Sequence, residues 1–363
     1  MKQTICIMIC IVCLCAPCCA SDADLKSVID TESVSESAPR ESAEIQYSED
    51  ISFSSGLSKI FDKIKDGIGD IFTGGLRCVA VIVAVSFLSS SVDAMILPGE
   101  NGSARTALSL AGAIAVTAAA SGSIRSVIGM GKQMIEHISV FSRALLPTLA
   151  AAEAAGGMAG SAVAKTTATV LFSDILITVI NKLLLPLVYI NIFASTANAA
   201  SENASLKRLS DLSVKVVSAT LKIVLGAFVS YITVVGIVAG GTDRVGVKTA
   251  KFAISGVVPV VGKIISDATE TVMSGTTMIK NSVGVFGVLV ILSSSATPII
   301  TLAVNYFLFR FAAVCASPVI GGRISELTER IATSFGLVLA MTASCMTVIL
   351  VAIISIMQSV GVT

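Results

Sequence analysis

The sequence predicts an all-α polytopic helical membrane protein with about six to eight spans, some of them broken or re-entrant. Three observations carry that prediction. Charged residues make up only 13% of the 363-residue chain and apolar ones 54%, where soluble domains carry roughly 25% charged residues. Several segments stay apolar for about eighteen residues or more, the length that crosses a bilayer. Glycines, prolines and isolated charges interrupt some of these segments, which lipid tolerates only where protein or water surrounds the broken backbone. The mean hydropathy of +0.89 agrees. A net charge of +1 and the absence of Trp leave no basic, aromatic-interleaved surface for nucleic acid.

Residues 1–20 have the layout of a secretory signal: Lys2, an apolar run from Ile5 to Ala16, then Pro17, Cys18, Cys19 and Ala20. Cleavage after Ala20 is the expectation, with an uncleaved anchor as the alternative. Six of the nine cysteines fall in this segment. Cys78, Cys315 and Cys345 lie in or beside apolar stretches without metal-ligand spacing, so they read as small packed hydrophobes. Residues 21–56 form a polar leader, with nine acidic residues against Lys26 and Arg40 between Ser21 and Ile51. That composition predicts a disordered extracytoplasmic segment.

From 57 to 72 the pattern changes. Leu57, Ile60, Phe61, Ile64, Ile68, Ile71 and Phe72 fall on one helical face, and Lys59, Asp62, Lys63, Lys65, Asp66 and Asp70 cover the other. An amphipathic interfacial helix follows from that spacing. The helical membrane domain then occupies 78–363. Its first span is Cys78–Leu97, and Pro98–Asn101 separates it from a second, Ala107–Ile124, built of small residues suited to close helix packing. A semi-polar helix, 125–143, leads to the weakly apolar stretch 144–164, which contains Pro147, Glu153, Gly156 and Gly157 and reads as re-entrant or buried by neighbours.

Val170–Ala197 is interrupted by Asp174, Asn181, Lys182 and Pro186, favouring a broken pair of short helices. A polar helix, 206–216, precedes the span 217–240. Two apolar pieces, 283–292 and 299–314, flank a kink at the Ser-Ser-Ser-Ala-Thr-Pro run. Ile324, Leu327, Ile331 and Phe335 then mark one face of an amphipathic link into the last span, 336–357.

Little catalytic chemistry is visible. The single histidine, His137, rules out a multi-histidine metal centre, and no catalytic or cofactor-binding set emerges from the carboxylates, so the reading is a non-enzyme without cofactor or metal. Residues Gly241–Thr249 resemble a phosphate-binding loop, but Val247 stands where Lys must follow the second glycine. Energy from ATP would have to come from a partner. Charges inside spans cost about 2.5–3.5 kcal/mol at mid-bilayer. Glu153, Asp174, Lys182 and Arg310 are therefore candidates to face a bundle interior or a hydrated path, with snorkelling at span ends as the other reading.

The block from Gly240 to Gly284 concentrates polar residues inside an apolar chain: Lys248, Lys251, Lys263, Asp267, Glu270 and Lys280, with Pro259 and Gly262 breaking the run. Residues 252–265 are too short to cross a core of about 30 Å as helix. Short, Gly/Pro-broken apolar segments point to binding sites in transporters. The expectation is a pore-lining turn followed by an amphipathic gate or docking helix; an interfacial connector with a solvated charged face is the alternative.

Within this block, T-A-K-F from Thr249, P-V-V-G-K from Pro259, D-A-T-E-T-V-M-S from Asp267 and K-N-S-V-G from Lys280 resemble the stage III sporulation protein AE family. The resemblance extends over residues 57–363. It implies a multi-pass subunit of the outer forespore membrane, derived from the mother cell, in a secretion-like channel complex needed for late forespore development. The implied partners are other membrane and ring-forming subunits, a cytoplasmic ATPase acting in trans, a forespore membrane protein and the lipid bilayer. No catalytic residue carries over. An autonomous ion-coupled secondary transporter using Asp174, Lys182 or Arg310, and a purely structural assembly factor, are the alternatives.

Overall fold

The last helix organises the fold. In a computed structural model describing residues 31–42, 45, 53–95, 102–155, 159–201, 203–257, 261–316 and 323–358, with 236–280 described by their backbone alone, every regular element is helical. A short helix, α1 (Thr31–Glu36), and a 3-10 turn at Arg40–Ser42 precede the bundle. The bundle consists of α2 (Phe53–Met95), α3 (Gly102–Ala155), α4 (Ala159–Val179), α5 (Leu185–Ser201), α6 (Ala204–Val257), α7 (Val261–Ala316) and α8 (Arg323–Gln358). Six stretches are long and apolar enough to cross a membrane, with α4 and α5 joined as one of them.

The most apolar helix is also the most enclosed. In α8 the most apolar 18-residue stretch of the candidate span Ile324–Met357 is 78% buried, and α3, α4, α5, α6 and α7 all pack on this helix. A helix that is hydrophobic all round gains most by sitting at the centre of a bundle. The expected face of Ile324, Leu327, Ile331 and Phe335 is fully buried, and Phe335 meets Phe309 edge-on with ring centroids 4.8 Å apart. Close approach of α3 is fixed at Gly131, where a Cβ would lie 2.5 Å from Cγ1 of the buried, β-branched Val338.

Segments that the sequence divides are continuous here. The amphipathic stretch 57–72 and the first span are one helix, α2. No proline separates them, and Gly75 packs against Leu308 of α7 at the junction. Its apolar face splits, with Ile60 turned into the bundle and Phe61, Ile68 and Phe72 facing outward. Likewise 107–124, 125–143 and the first half of 144–164 form the single helix α3, and the rest of 144–164 belongs to α4 from Ala159 onward. Leu145, Leu146 and Leu149 are enclosed by neighbouring helices. The small-residue stretch at 107–124 is only partly internal: Ala113, Val116, Ala120 and Ile124 are buried, but Leu110 and Ile114 face outward.

The expected broken pair at 170–197 is a continuous run with one wide turn. Ile180–Leu184 is π-helical, and the Leu185 N–H reaches back to the Ile180 carbonyl. Pro186 explains the position. It has no N–H for the carbonyl four residues earlier, and its ring crowds the preceding turn; a π-turn widens the helix there. The Ser-Ser-Ser-Ala-Thr-Pro run does not divide α7 either. Pro298 lies inside the helix, and Ser294 donates to the Ile291 carbonyl at 3.2 Å.

At 206–240 the polar helix and the span are one, α6, which continues to Val257. α7 resumes at Val261, so 252–265 is no separate short helix; residues 258–260, with Pro259, lie outside the described residues. A 54-residue helix rises roughly 81 Å, well over twice the hydrocarbon thickness. The leader is not wholly structureless. Val34 and Ile45 are buried, because α1 packs on α3 and the 3-10 turn on α7.

Candidate functional site

Two ionic sites, one at each end of α8, dominate the described residues. The first lies where α3 turns back into α4. Gly156 and Gly157 stand between these helices, bringing Glu153 in the last turns of α3 opposite Lys165 in the second turn of α4. The Lys165 ammonium donates to Glu153 Oε1 at 3.3 Å, and the two side chains are 2% and 0% exposed. Ser161 donates to the same carboxylate oxygen at 2.9 Å.

The Lys165 ammonium also donates to the Ser355 carbonyl at 3.0 Å. That carbonyl belongs to the final four of α8, which have no acceptor role inside their own helix. A cation there both satisfies the orphan carbonyl and complements the negative end of the helix dipole. The pair therefore clamps the end of the central helix to the α3–α4 reversal.

At the opposite end, Asn191 of α5 is fully buried. Its Nδ2 donates to Ser334 Oγ at 2.8 Å, and its Oδ1 accepts from Ser210 Oγ. Arg330 of α8 extends this set toward the surface. One guanidinium nitrogen donates to Ser210 Oγ and, at 3.0 Å, to Asp211; its Nη2 and Nε donate to Glu326 at 3.0 and 3.2 Å. Lys207 closes the chain on Glu326 at 2.8 Å. A cavity of about 280 Å³ borders this network, lined by Ser195, Asn198, Lys207, Glu326 and Arg330 among others. Buried polar groups of this kind register helices strongly when every member is satisfied. Here they hold α5, α6 and α8 together.

Of the intramembrane charges the sequence singles out, only Glu153 lies in the bundle interior. Asp174 pairs with Arg143 at 2.7 Å on the outer surface, the two side chains 49% and 63% exposed. Arg310 pairs with Glu329 at 3.1 Å, also outward. Lys182 sits exposed on the π-turn. The structure does not bring Asp174, Lys182 and Arg310 together.

The block at 240–284 is placed by its backbone only. Lys248 and Lys251 stand on α6, and Gly262, Lys263, Asp267, Glu270 and Lys280 on α7. Their side chains lie outside the described residues, as does Pro259 altogether. Sequence reasoning missed Lys165, Asn191 and Arg330. For Lys165 a signal existed: two opposite charges flanking a Gly-Gly reversal can face one another across antiparallel helices. Asn191 carried none, since its partner Ser334 is 143 residues away.

Comparison with known proteins adds one family. The profile described as stage III sporulation protein AE matches residues 45–361. A relative of the same description from Bacillus subtilis (strain 168) is 28% identical over 212 residues. That match covers 58% of this chain and 53% of the relative, about half its length. No solved structure matches the chain.

Proposed function

Because the chain belongs to the stage III sporulation protein AE family and is an all-α polytopic membrane protein, we propose that it is a membrane subunit of a mother cell–forespore channel complex. In this reading it sits in the outer forespore membrane and acts as scaffold and conduit element during late forespore development. The carrying observation is the family match, which spans nearly the whole helical domain rather than one motif. Ring-forming subunits, a cytoplasmic ATPase and a forespore membrane protein are its proposed partners, and the chain itself is proposed to catalyse no reaction.

The geometry supports the scaffold side of that reading. Both ionic sites tie helices together at the ends of a central, enclosed α8, and the outward faces of α2, α4 and α6 carry large apolar side chains such as Phe61, Leu171 and Ile223. We assign the block of Lys248, Lys251, Pro259, Gly262, Lys263, Asp267, Glu270 and Lys280 to contact with other subunits; its described members stand on two helices longer than the bilayer is thick. The decisive experiment is deletion in the sporulating host with a late forespore reporter. The expected result is arrest after engulfment with a silent reporter; normal spores with an active reporter would reject the role.

A further inference from the structure

We propose that the open groove between α6, α7 and α8 is a binding site for an anionic phospholipid. The groove has a volume of about 270 Å³ and is lined mainly by apolar side chains, including Leu221, Leu225 and Leu337. Ser218 and two cations, Lys222 and Arg310, complete the part of the wall that matters here. Arg310 is already bridged to Glu329. Lys222 is exposed and makes no ion pair or hydrogen bond among the described residues. The groove therefore presents one uncompensated positive charge beside an apolar channel.

That combination selects its occupant. An unpaired lysine within the candidate span Ala204–Val235 is costly against hydrocarbon. Its charge is met by an acidic headgroup, while acyl chain covers the leucines. Basic pockets between membrane helices bind anionic headgroups in this way. The volume lies just under the usual range for small-molecule pockets, about 300–1,000 Å³. It suits part of one lipid rather than a whole partner helix. The floor is rigid at one point, because Gly336 allows Tyr306 to lie against α8; a Cβ there would come within 3.0 Å of the ring.

The test uses the full chain, purified in mild detergent, and measures its thermal unfolding with added phosphatidylglycerol or phosphatidylcholine. Wild type should be stabilised preferentially by phosphatidylglycerol. K222M keeps the length and apolarity of the side chain at an exposed position. It should weaken the apparent affinity for phosphatidylglycerol about fivefold, the factor expected for one lysine at a lipid surface. K215M, on the same helix and outside the groove lining, should leave the preference unchanged. A340F, which fills the groove, should weaken both lipids alike. Equal response to the two lipids in wild type, or an unchanged preference in K222M, would overturn the site. If an acidic peptide displaced the lipid and stabilised the protein more, the groove would be a partner's seat instead. The outcome is independent of whether the deletion strain sporulates.

Discussion

The Glu153–Lys165 clamp and the Arg143–Asp174 bridge lie close together along α3 and α4, yet they are opposite kinds of ion pair. The first is 0% and 2% exposed and shares its charges with a serine hydroxyl and a helix-terminal carbonyl. The second has the shorter contact, 2.7 Å, but about half of each side chain is open. Distance alone would rank the exposed pair as stronger. Burial reverses the ranking for mutations, because a buried charge that loses its partner keeps its desolvation cost and gets nothing back.

The largest effect should therefore come from K165M. Removing the ammonium leaves Glu153 buried with an uncompensated charge and frees the Ser355 carbonyl, a loss of about 3–5 kcal/mol by analogy with other broken buried pairs. Unfolding of the detergent-solubilised protein should show it. The double variant E153L/K165M sharpens the comparison. Replacing a whole buried pair by apolar groups is often close to neutral, so the double variant should be more stable than K165M alone. A double variant as unstable as the single one would mean that the helix-end contact to Ser355, rather than the charge pair, carries the site.

An intermediate effect is expected at the other end of α8. Arg330 is 15% exposed and donates to Ser210, Asp211 and Glu326. R330M strands the buried Ser210 hydroxyl and two carboxylates, Asp211 and Glu326, that water can still reach, so the loss should be about 1–3 kcal/mol. N191L removes the enclosed centre of the same network and leaves Ser334 and Ser210 to re-pair. If the two variants together lose no more than the larger single loss, the residues act as one cooperative unit; simple addition would show two independent contacts.

How much of this was legible depended on how local each cause is. The buried face of α8 could be read directly, since Ile324, Leu327, Ile331 and Phe335 are related by helical spacing alone. Membrane-helix class followed from composition. Segment boundaries were harder. Gly75 and the serines before Pro298 remain helical, the glycine against Leu308 of α7 and the serines buried in the bundle. Pro186 shifted the register into a π-turn rather than ending the helix. Glu153 was identifiable as an unusual intramembrane charge, but its pairing with Lys165 depended on how α4 packs on α3 and on the end of a helix 190 residues beyond Lys165. Long-range packing of that kind leaves no periodic trace.

The smallest effect should come from R143Q/D174N, and it tests whether the outer surface near this bridge is truly open. An exposed pair of this geometry is worth roughly 0–1 kcal/mol, after side-chain ordering and screening offset the attraction. In detergent the double variant should thus unfold almost like wild type, and added salt should weaken the wild-type pair rather than the variant. The same comparison in bilayers gives the informative contrast. If the bridge faces water or headgroups, the near-neutral result should persist. A loss approaching that of K165M in the bilayer alone would mean that lipid or another subunit covers this face. The distinction between the two pairs would then belong to the isolated chain and disappear in the membrane.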